Sequence, residues 1–436
     1  MHPLQKMIEN RRRGIVDGIC CVCSANEYVV MAALDRAEKA GRCAVIEATA
    51  NQVNQYGGYT GMRPAGFREF VYGIADKMGF PRARILLGGD HLGPLTWTGL
   101  GEEEAMGRAE ALVALYVEAG FAKIHIDTSM MLADDDHTAR LPDAVIARRG
   151  ARLARACEEA FARRKAAEPN AEHPVYVIGS EVPIPGGTKT AEALEVTRPE
   201  DFEATVAAFA RAFREGGAAD ALDHVIAVVI QPGVEFSNDS VSEYDPAAAQ
   251  TLGRSLAAHP NLVFEGHSTD YQTRPCLRSM ARDGIAIQKV GPALTFALRE
   301  GLLALSMMEA ELLPEDRRAH FMETLDAAMT RNPMHWKSYY QGTPAEQAFQ
   351  RRYGQSDRCR YYLAEPDVKA AAAKLMENLR GIELPLPLIS QYLPLQHQKI
   401  RMGELRADPV ALAVDKVGSV IDDYLAAFAP VSECFL

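Results

Sequence analysis

Short apolar runs rich in β-branched residues alternate with longer amphipathic segments over the first 313 residues. Intervening segments such as 102–120 and 201–217 carry apolar residues at helical spacing and end in glycine. Strands that alternate with helices form parallel sheets, because parallel neighbours need a crossover connection. Eight such units predict an α/β protein with a closed (β/α)8 TIM barrel. The eight predicted strands are residues 19–23, 44–47, 84–87, 123–127, 175–179, 225–231, 262–265 and 285–289.

An open, doubly wound sheet is the alternative architecture. It is disfavoured because no G-x-G-x-x-G motif follows the first predicted strand.

The strand pattern stops after Leu313, and the rest of the chain has the pattern of helices broken by proline and glycine. Residues 382–394 hold three prolines and predict an extended crossover. We therefore predict two parts, a barrel over residues 1–313 with the metal and sugar site and a helical extension over residues 314–436. The extension should pack on the barrel, because its helices carry apolar stripes of their own.

Composition excludes several classes of protein. The chain has 47 basic and 58 acidic residues, and a net charge of −11 argues against nucleic-acid binding. It has no apolar run of 18 residues and no apolar region after its early basic residues, so neither a membrane span nor a secretory signal is predicted. Eight cysteines in 436 residues do not make a disulfide scaffold, and the ICCVC run favours buried thiols over a metal site. We expect a cytoplasmic globular protein.

Polar and charged residues follow every predicted strand. In a TIM barrel the carboxyl ends of the strands form the active-site face, so these residues should share one rim. The candidates combine amides, hydroxyls, carboxylates, imidazoles and one amine: Asn26, Asn51, Gln52, Asn54, Gln55, Asp90, His91, Asp127, Ser129, Glu181, Glu235, His267, Asp270, Gln272 and Lys289.

A divalent metal site is predicted on this rim. His91 and His267 each follow a strand and a glycine-containing turn, and Glu181 and Glu235 follow two other strands. Imidazole and carboxylate ligands suit Zn²⁺, Mn²⁺ or a similar ion. The alternative for each histidine is a structural hydrogen bond to backbone. His125 lies inside the fourth predicted strand, and we interpret it as a core histidine with satisfied hydrogen bonds.

Three further features suit a polyhydroxylated ligand. Asp90 adjoins His91 and could move a proton at a sugar hydroxyl or an enediolate carbon, although a turn-forming aspartate is an equal alternative. The amides of residues 51–55 could bind hydroxyl groups or belong to a solvated loop. Lys289 could neutralise an enolate or a phosphate, or pair with a barrel carboxylate.

The sequence resembles a known family at these residues. The motifs are ICCVCSAN, IEATANQVNQYGGYTGM, ILLGGDHLGP, KIHIDTSM, YVIGSEVPIPGG, VVIQPGVEF, GHSTDYQT, IQKVGPALTFALRE and ISQYLP, spread from about Ile15 to beyond Leu393. They are similar to the subunit of D-tagatose-bisphosphate aldolase known as the non-catalytic or Z subunit. The resemblance implies a TIM barrel related to class II aldolases, acting in tagatose, galactitol or N-acetylgalactosamine catabolism. Family members are also labelled tagatose-6-phosphate kinases, but the chain has no Walker A motif or kinase glycine-rich loop.

The resemblance also implies residue roles. Asp90 takes the position of the catalytic acid–base, and His91 and His267 take positions of metal ligands. Glu181 matches the glutamate after the fifth strand, with a catalytic and a metal-ligating role. Glu235 stands near the remaining metal histidine of the aldolases and could replace it with a carboxylate.

The chain departs from the aldolase pattern where phosphate would bind. Catalytic aldolases carry a Gly-Gly-Ser-Gly segment after the seventh strand, whose N–H groups cradle phosphate. This chain has His-Ser-Thr-Asp-Tyr-Gln, and Asp270 would repel a phosphate. We therefore expect an unphosphorylated or singly phosphorylated ketohexose as substrate.

Two functions remain open from the sequence. One is a metal enzyme that interconverts tagatose- and fructose-series sugars by retro-aldol and aldol steps, which amounts to C4 epimerisation. The other is a non-catalytic subunit that stabilises and activates a separate class II aldolase chain. The expected partners are thus a ketohexose or its phosphate and possibly that aldolase chain, in a homo-oligomer with no nucleic-acid or membrane partner.

Overall fold

Eight parallel strands form a closed barrel, which confirms the predicted TIM barrel. The computed structural model describes residues 2–183 and 194–429. The barrel strands follow one another around the barrel in chain order, with the last beside the first. They are β1 (Ile19–Cys23), β2 (Ala44–Thr49), β3 (Ile85–Leu92), β4 (Lys123–Ile126), β5 (Val175–Ile178), β6 (Val225–Ile230), β9 (Val263–Gly266) and β10 (Ile285–Val290); β7 (Glu235–Phe236) and β8 (Val241–Ser242) form an antiparallel hairpin after β6.

Helices follow each barrel strand and continue into the extension. The helices of the first part are α1 (Pro3–Arg12), α2 (Glu27–Ala40), α3 (Pro64–Met78), α4 (Glu102–Glu118), α5 (Asp143–Ala167), α6 (Pro199–Glu215), α7 (Pro246–Ser255), α8 (Arg274–Arg282) and α9 (Pro292–Leu312). The extension holds α10 (Phe321–Arg331), α11 (Pro344–Tyr353), α12 (Pro366–Arg380), α13 (Leu386–Tyr392), α14 (Pro394–Arg401) and α15 (Pro409–Leu425). No helix in the described ranges is both long and apolar enough to cross a membrane.

The third strand is longer than the sequence predicts and includes Asp90 and His91. The two glycines before them have the composition of a turn, but both lie within β3. A Cβ on Gly88 would lie 2.6 Å from the Glu47 side chain, and a Cβ on Gly89 would lie 2.4 Å from that of Leu92. The glycines are therefore needed for close packing inside the strand.

The interior of the barrel is apolar at its amino-terminal end. Leu4, Met7 and Ile8 of α1 pack against inward side chains such as Val45 and Val177. Arg11 of α1 donates hydrogen bonds to backbone carbonyls that precede β9, at Leu256 and Leu262. The first helix thus closes the bottom of the barrel, and the polar site lies at the opposite end.

The extension shares its core with the barrel. Buried side chains of α15, including Val417 and Ile421, belong to the same cluster as the barrel helices, and α15 packs on α2 and α9. Arg36 of α2 forms a buried ion pair with Asp415, at 2.5 Å between Nη2 and Oδ1. The Tyr424 hydroxyl donates a hydrogen bond of 2.8 Å to the carbonyl of Thr269.

The prediction of an extended crossover at residues 382–394 is wrong. That segment contains α13, and α14 begins at its last proline. Proline is tolerated in the first turn of a helix because the missing N–H has no partner there. The prolines therefore start helices instead of preventing them.

Truncation after Leu313 should leave the barrel unable to fold cooperatively. It would expose the apolar faces of α2 and α9 and leave the buried Arg36 without its Asp415 partner. We expect an insoluble product or one without a cooperative thermal transition, measured by circular dichroism beside the full chain. A soluble fragment that melts cooperatively would contradict this prediction.

Candidate metal and sugar site

Two lysines and two glutamates lie buried across the barrel, above its apolar layer. Lys123 Nζ lies 2.8 Å from Glu47 Oε1 and 2.6 Å from Glu265 Oε2, and Lys289 also pairs with Glu47. Burial disfavours every one of these charges, but the opposite charges outweigh it. They lower the pKa of Glu47 and Glu265 and raise the pKa of Lys123 and Lys289. All four groups are therefore ionised, and we call them the charge layer.

Asp90 lies on β3 at the upper edge of the charge layer. Its Oδ1 lies 2.6 Å from Lys289 Nζ and 3.1 Å from His125 Nδ1. Burial acts to raise the pKa of Asp90, but Lys289, His91 and His125 together hold it well below its usual range. Asp90 is thus a carboxylate, ready to accept a proton.

Three imidazole rings meet beside Asp90. The ring centroids of His91, His125 and His267 lie 4.8–5.2 Å from one another. His91 Nδ1 lies 2.7 Å from Asp127 Oδ2, and the Ser129 hydroxyl donates to the other Asp127 oxygen at 2.7 Å. A carboxylate that holds one ring nitrogen fixes the orientation of the imidazole and leaves the other nitrogen for a ligand.

The other two histidines are held differently. His267 Nε2 lies 2.8 Å from Glu265 Oε1, and burial lowers the pKa of His267 to about 4, so the ring is neutral near pH 7. His125 is fully buried, and its Nε2 has no hydrogen-bond partner among the described residues. The interpretation of His125 as a satisfied core histidine is therefore wrong. An orphaned ring nitrogen in this position points to a missing ligand.

The residues present fit a divalent metal ion. Potential ligand atoms of Asp90, His125, Glu265 and His267 all lie within 4.8 Å of one another, and those of Cys23, Glu47 and Asp90 form a second, overlapping group. Mixed imidazole and carboxylate donors suit Zn²⁺ or Mn²⁺. Glu181 and Glu235 belong to neither group within the described ranges.

Backbone strain is concentrated at the same place. His91, Ser268 and Tyr271 have φ values of 47°, 53° and 64°, in the left-handed region that side chains rarely adopt. Such strain persists only where surrounding contacts hold it, and it is common at functional sites.

A cavity of about 600 Å³ opens above the charge layer, a size usual for small-molecule sites. The strand ends supply one wall and the extension supplies another, through residues such as Arg360 and Tyr361. This contribution of the extension was not predicted. The predicted site residues that line the cavity are Asn26, Asn51, Gln52, Asp90, His91, His267, Asp270 and Lys289.

Three predicted sugar-binding amides serve the backbone instead of the cavity. Asn54 Oδ1 accepts hydrogen bonds from two N–H groups of its own loop, at 2.8 and 3.1 Å. Gln55 Nε2 donates to the carbonyl of Arg108 at 2.9 Å. Gln272 uses both ends of its amide to hold the segment that follows the β7–β8 hairpin. Their positions after strands were correct, but local turns take up their polar groups.

The predicted acids Glu181, Glu235 and Asp270 do not share one environment. Glu181 accepts a 2.5 Å hydrogen bond from Thr197, and one Glu235 oxygen accepts from the N–H of Phe236 at 3.0 Å. Within the described ranges neither acid belongs to the groups of potential metal ligands, and His91 is also outside them. Burial raises the pKa of Glu235 to about 7. Asp270 does line the cavity, but its Oδ1 accepts from the N–H groups of Gly291 and Ala293. It therefore caps α9, and burial raises its pKa to about 6.

The sequence-based reasoning missed Glu47, Lys123 and Glu265, because it searched only the positions after strands. A signal was present, since each is a charged residue inside an otherwise apolar strand. A charge at such a position must be paired, and the pairs are what the structure shows.

Comparison with known proteins decides the family. Residues 4–429 match the family model described as "D-tagatose-1,6-bisphosphate aldolase subunit GatZ/KbaZ-like". The chain belongs to this family. It is 46% identical over 422 residues to the "D-tagatose-1,6-bisphosphate aldolase subunit GatZ" of Salmonella heidelberg (strain SL476), covering 97% of this chain and 98% of that protein. The subunit of the same name from Klebsiella pneumoniae subsp. pneumoniae shows the same identity and coverage.

A solved structure has the same fold as this GatZ/KbaZ-like chain. It is the crystal structure of "a probable tagatose 6 phosphate kinase" from Sinorhizobium meliloti 1021, 45% identical, with a TM-score of 0.86 and coverage of 94% of this chain and 100% of that one. The names of the relatives agree on tagatose metabolism and differ on the reaction. The chemistry of the site has to decide between them.

Substitution of Glu47 by glutamine should destabilise the protein strongly. It would leave Lys123 and Lys289 with too little negative charge in a fully buried layer, and breaking a buried ion pair costs roughly 3–5 kcal/mol. Urea unfolding measures the change. The control is Glu38→Gln, which breaks an ion pair of an exposed glutamate with Arg84 and should cost under about 1 kcal/mol. Equal effects of the two substitutions would show that the charge layer is not ionised.

Proposed function

We propose that this protein is a metal-dependent enzyme that epimerises a ketohexose at C4. The observation that carries the proposal is the buried, ionised carboxylate of Asp90, held 2.6 Å from Lys289 Nζ at the floor of the cavity and beside three imidazoles. A chain that served only as scaffold would gain nothing from a buried base beside a strained histidine in an open cavity. Perturbed groups of this kind mark catalytic sites.

The metal would be held by His125 and His267 with the carboxylates of Asp90 and Glu265, whose potential ligand atoms lie together. His91, a ligand that the family resemblance implies, lies outside that group but with its ring 4.8 Å from that of His267, and it would complete the set. These ligands revise the sequence-based set, in which Glu181 and Glu235 supplied the carboxylates. A divalent ion bound there would act as a Lewis acid that polarises the ketose carbonyl. Asp127 positions His91 for that role through its 2.7 Å contact.

Asp90 and Lys289 would carry the proton and the charge. Asp90 accepts the proton of the C4 hydroxyl, the C4 oxygen forms an aldehyde, and the C3–C4 bonding electrons move into an enediolate across C2 and C3. The Lys289 ammonium stabilises the negative charge of this enediolate. The aldehyde fragment then rotates, C3 attacks its other face, and Asp90 returns the proton to the new C4 alkoxide. No atom or electron is gained or lost overall.

The cavity favours a substrate with little phosphate. In the aldolase pattern backbone N–H groups after the seventh strand bind phosphate, whereas here the Asp270 carboxylate accepts the free N–H groups at the start of α9. A phosphate cannot use donors that already have a partner. Asn26, Asn51 and Gln52 line the same cavity. The side-chain oxygens of Asn26 and Gln52 already accept from the N–H groups of Tyr28 and Thr49, so these two would offer their amide NH2 groups to sugar hydroxyls.

The alternative function is that of an accessory subunit of a separate aldolase chain. The relatives are named as subunits of an aldolase, which favours this alternative. So do the apolar side chains of Phe349 and Tyr353 on α11, which are 63% and 49% exposed and could contact a partner. This alternative does not explain the charge layer or the orphaned nitrogen of His125.

The purified chain should contain one divalent ion per barrel. We expect His91→Ala and His267→Ala to lose it, because each removes an imidazole from the proposed ligand set. Elemental analysis by inductively coupled plasma mass spectrometry measures the metal content. His137→Ala is the matched control, since His137 is exposed and hydrogen-bonded only to a backbone carbonyl. Equal metal content in all four proteins would refute the site.

Asp90→Asn should abolish epimerisation. Because it also removes a buried partner of Lys289, circular dichroism must show that the variant is folded at the temperature of the assay. Removal of a well-placed general base typically costs on the order of 10²–10⁴ in rate. The assay incubates the protein with D-fructose or D-tagatose and a divalent metal salt, then resolves the C4 epimers by chromatography. The control, Asp76→Asn, removes a half-exposed carboxylate paired with Arg82 and should retain full activity. If no epimer forms, and an added aldolase chain is activated equally by the wild type and by Asp90→Asn, the accessory-subunit alternative is correct.

A further inference from the structure

Two arginines of the extension lack a carboxylate partner. Arg358 and Arg360 form no ion pair with any Asp or Glu of the described chain, whereas the other buried arginines Arg36, Arg149 and Arg299 each pair with at least one. Arg358 is 6% exposed, and one of its terminal nitrogens, Nη1, is buried without a hydrogen-bond partner. Arg360 lines the cavity. Uncompensated guanidinium groups in such surroundings call for an anion.

The nearby carboxylate of Asp357 already binds other residues. Asp357 directly precedes Arg358 in the sequence, but its Oδ1 lies 3.1 Å from Nε of Arg299, and its Oδ2 accepts a 2.6 Å hydrogen bond from Thr295. Both of these partners belong to α9, the helix that follows the last barrel strand. The contact therefore anchors the extension to the barrel and leaves Arg360 at the cavity wall without a carboxylate partner in the described chain, with the buried Arg358 two residues away.

Hydrogen bonds hold the Arg360 guanidinium in place and leave some of its N–H groups free to bind a ligand. Its Nη1 donates to the carbonyls of Ser356 and Asp357 at 2.6 and 3.0 Å, and its Nη2 donates to the Tyr361 hydroxyl at 3.2 Å. A guanidinium has five N–H donors, so two remain for a ligand. A group held in this way loses little side-chain entropy when it binds.

Two tyrosines complete the arrangement. Tyr361 belongs to the extension and Tyr59 to the loop after β2; both line the cavity, and their ring centroids are 4.9 Å apart. Arg360 also lies over the Tyr361 ring, at 4.6 Å from its centroid. Although burial opposes it, Arg360 and Arg358 lower the pKa of Tyr361, which makes its hydroxyl a better hydrogen-bond donor.

We propose that Arg360, Tyr361 and Tyr59 form a subsite for the terminal oxyanion, phosphate or carboxylate, of the sugar substrate. The identity of the sugar rests on the proposed function, but the subsite rests on its own geometry. Guanidinium and phenol groups supply hydrogen-bond donors around a positive charge, which is the chemistry that recognises such oxyanions. Lys289 does not compete for the anion, because Glu47 and Asp90 already neutralise it.

This subsite accounts for one anionic group and no more. The extension supplies it, because the backbone donors at the start of α9, after the eighth barrel strand, are already bound by Asp270. The floor of the cavity offers Asp90 and His91, where a second phosphate would meet a carboxylate. The substrate class is therefore a ketohexose with a single terminal phosphate or carboxylate.

Direct binding measurements on the full chain test the subsite. The probes for isothermal titration calorimetry are D-fructose 6-phosphate, D-glucuronate, inorganic phosphate and D-fructose. We expect Arg360→Met to weaken the binding of at least one charged probe by about 10- to 100-fold, the range for a lost charge-assisted contact, and to leave D-fructose binding unchanged. Tyr59→Phe should weaken the same probe by about threefold to tenfold, as expected for one neutral hydrogen bond. Arg352→Gln, at an exposed arginine of the same extension, should have no effect.

The probes distinguish the two kinds of oxyanion. Dependence on Arg360 for D-fructose 6-phosphate and inorganic phosphate identifies a phosphate subsite, and dependence for D-glucuronate identifies a carboxylate subsite. If every probe binds equally to the wild type and to an Arg360→Met protein that melts normally, the proposal is wrong. If Arg360→Met does not fold, Arg360→Lys and Tyr59→Phe decide: unchanged affinity in both also refutes it.

If the proposed function is wrong, the experiments give a different set of results from those expected if the subsite is wrong. In that case the wild type produces no C4 epimer, yet binding of the charged probe still depends on Arg360. Conversely, epimerisation without any dependence on Arg360 leaves the proposed function standing and removes the subsite.

Discussion

The site depends on the ion pairs buried across the barrel. Glu47, Lys123, Glu265 and Lys289 come from four different strands, so their charges can neutralise one another only when the barrel is closed in its correct register. In the apolar interior, a single one of these charges would be strongly disfavoured. Because Lys289 also contacts Asp90, closure of the barrel provides the charge that keeps the buried Asp90 ionised. The charge state of the site is thus a property of the whole fold.

The same layer explains why the backbone can hold strained conformations. A non-glycine residue in the left-handed region costs on the order of 1 kcal/mol or more. At His91 that cost is offset by the hydrogen bond from its N–H to His125 and by the contact of its ring with Asp127. At Tyr271 it is offset by a hydrogen bond from the hydroxyl to the carbonyl of Gln355 in the extension. The extension therefore supports the geometry of the barrel loops as well as the wall of the cavity.

Sequence patterns predicted the fold well and the site in part. Apolar strand runs, together with the rule that catalytic residues follow strands, located Asp90, His91, His267 and Lys289, which do meet in the structure. Charged residues within strands were overlooked, because alternation along a strand does not say which inward position is polar. Residues on longer connections were harder to place, because Glu235 lies in a hairpin that no periodicity predicts and is outside the group of potential metal ligands among the described residues. The contribution of Arg360 could not be predicted, since it lies far along the chain from the barrel strands.

The distribution of charge around the cavity limits what can bind there. At the floor, the carboxylates of Glu47, Glu265 and Asp90 face the ammonium groups of Lys123 and Lys289, which leaves one excess negative charge beside the imidazoles. A metal cation would therefore be stabilised most at the floor of the cavity. At the wall, Arg360 supplies a positive charge that no carboxylate of the described chain pairs with. A neutral ligand would use neither end fully, and a ligand with two phosphates would bring a negative charge to the negative floor. The field of the protein therefore orients a molecule with one anionic end, and places its uncharged, reactive carbons at Asp90.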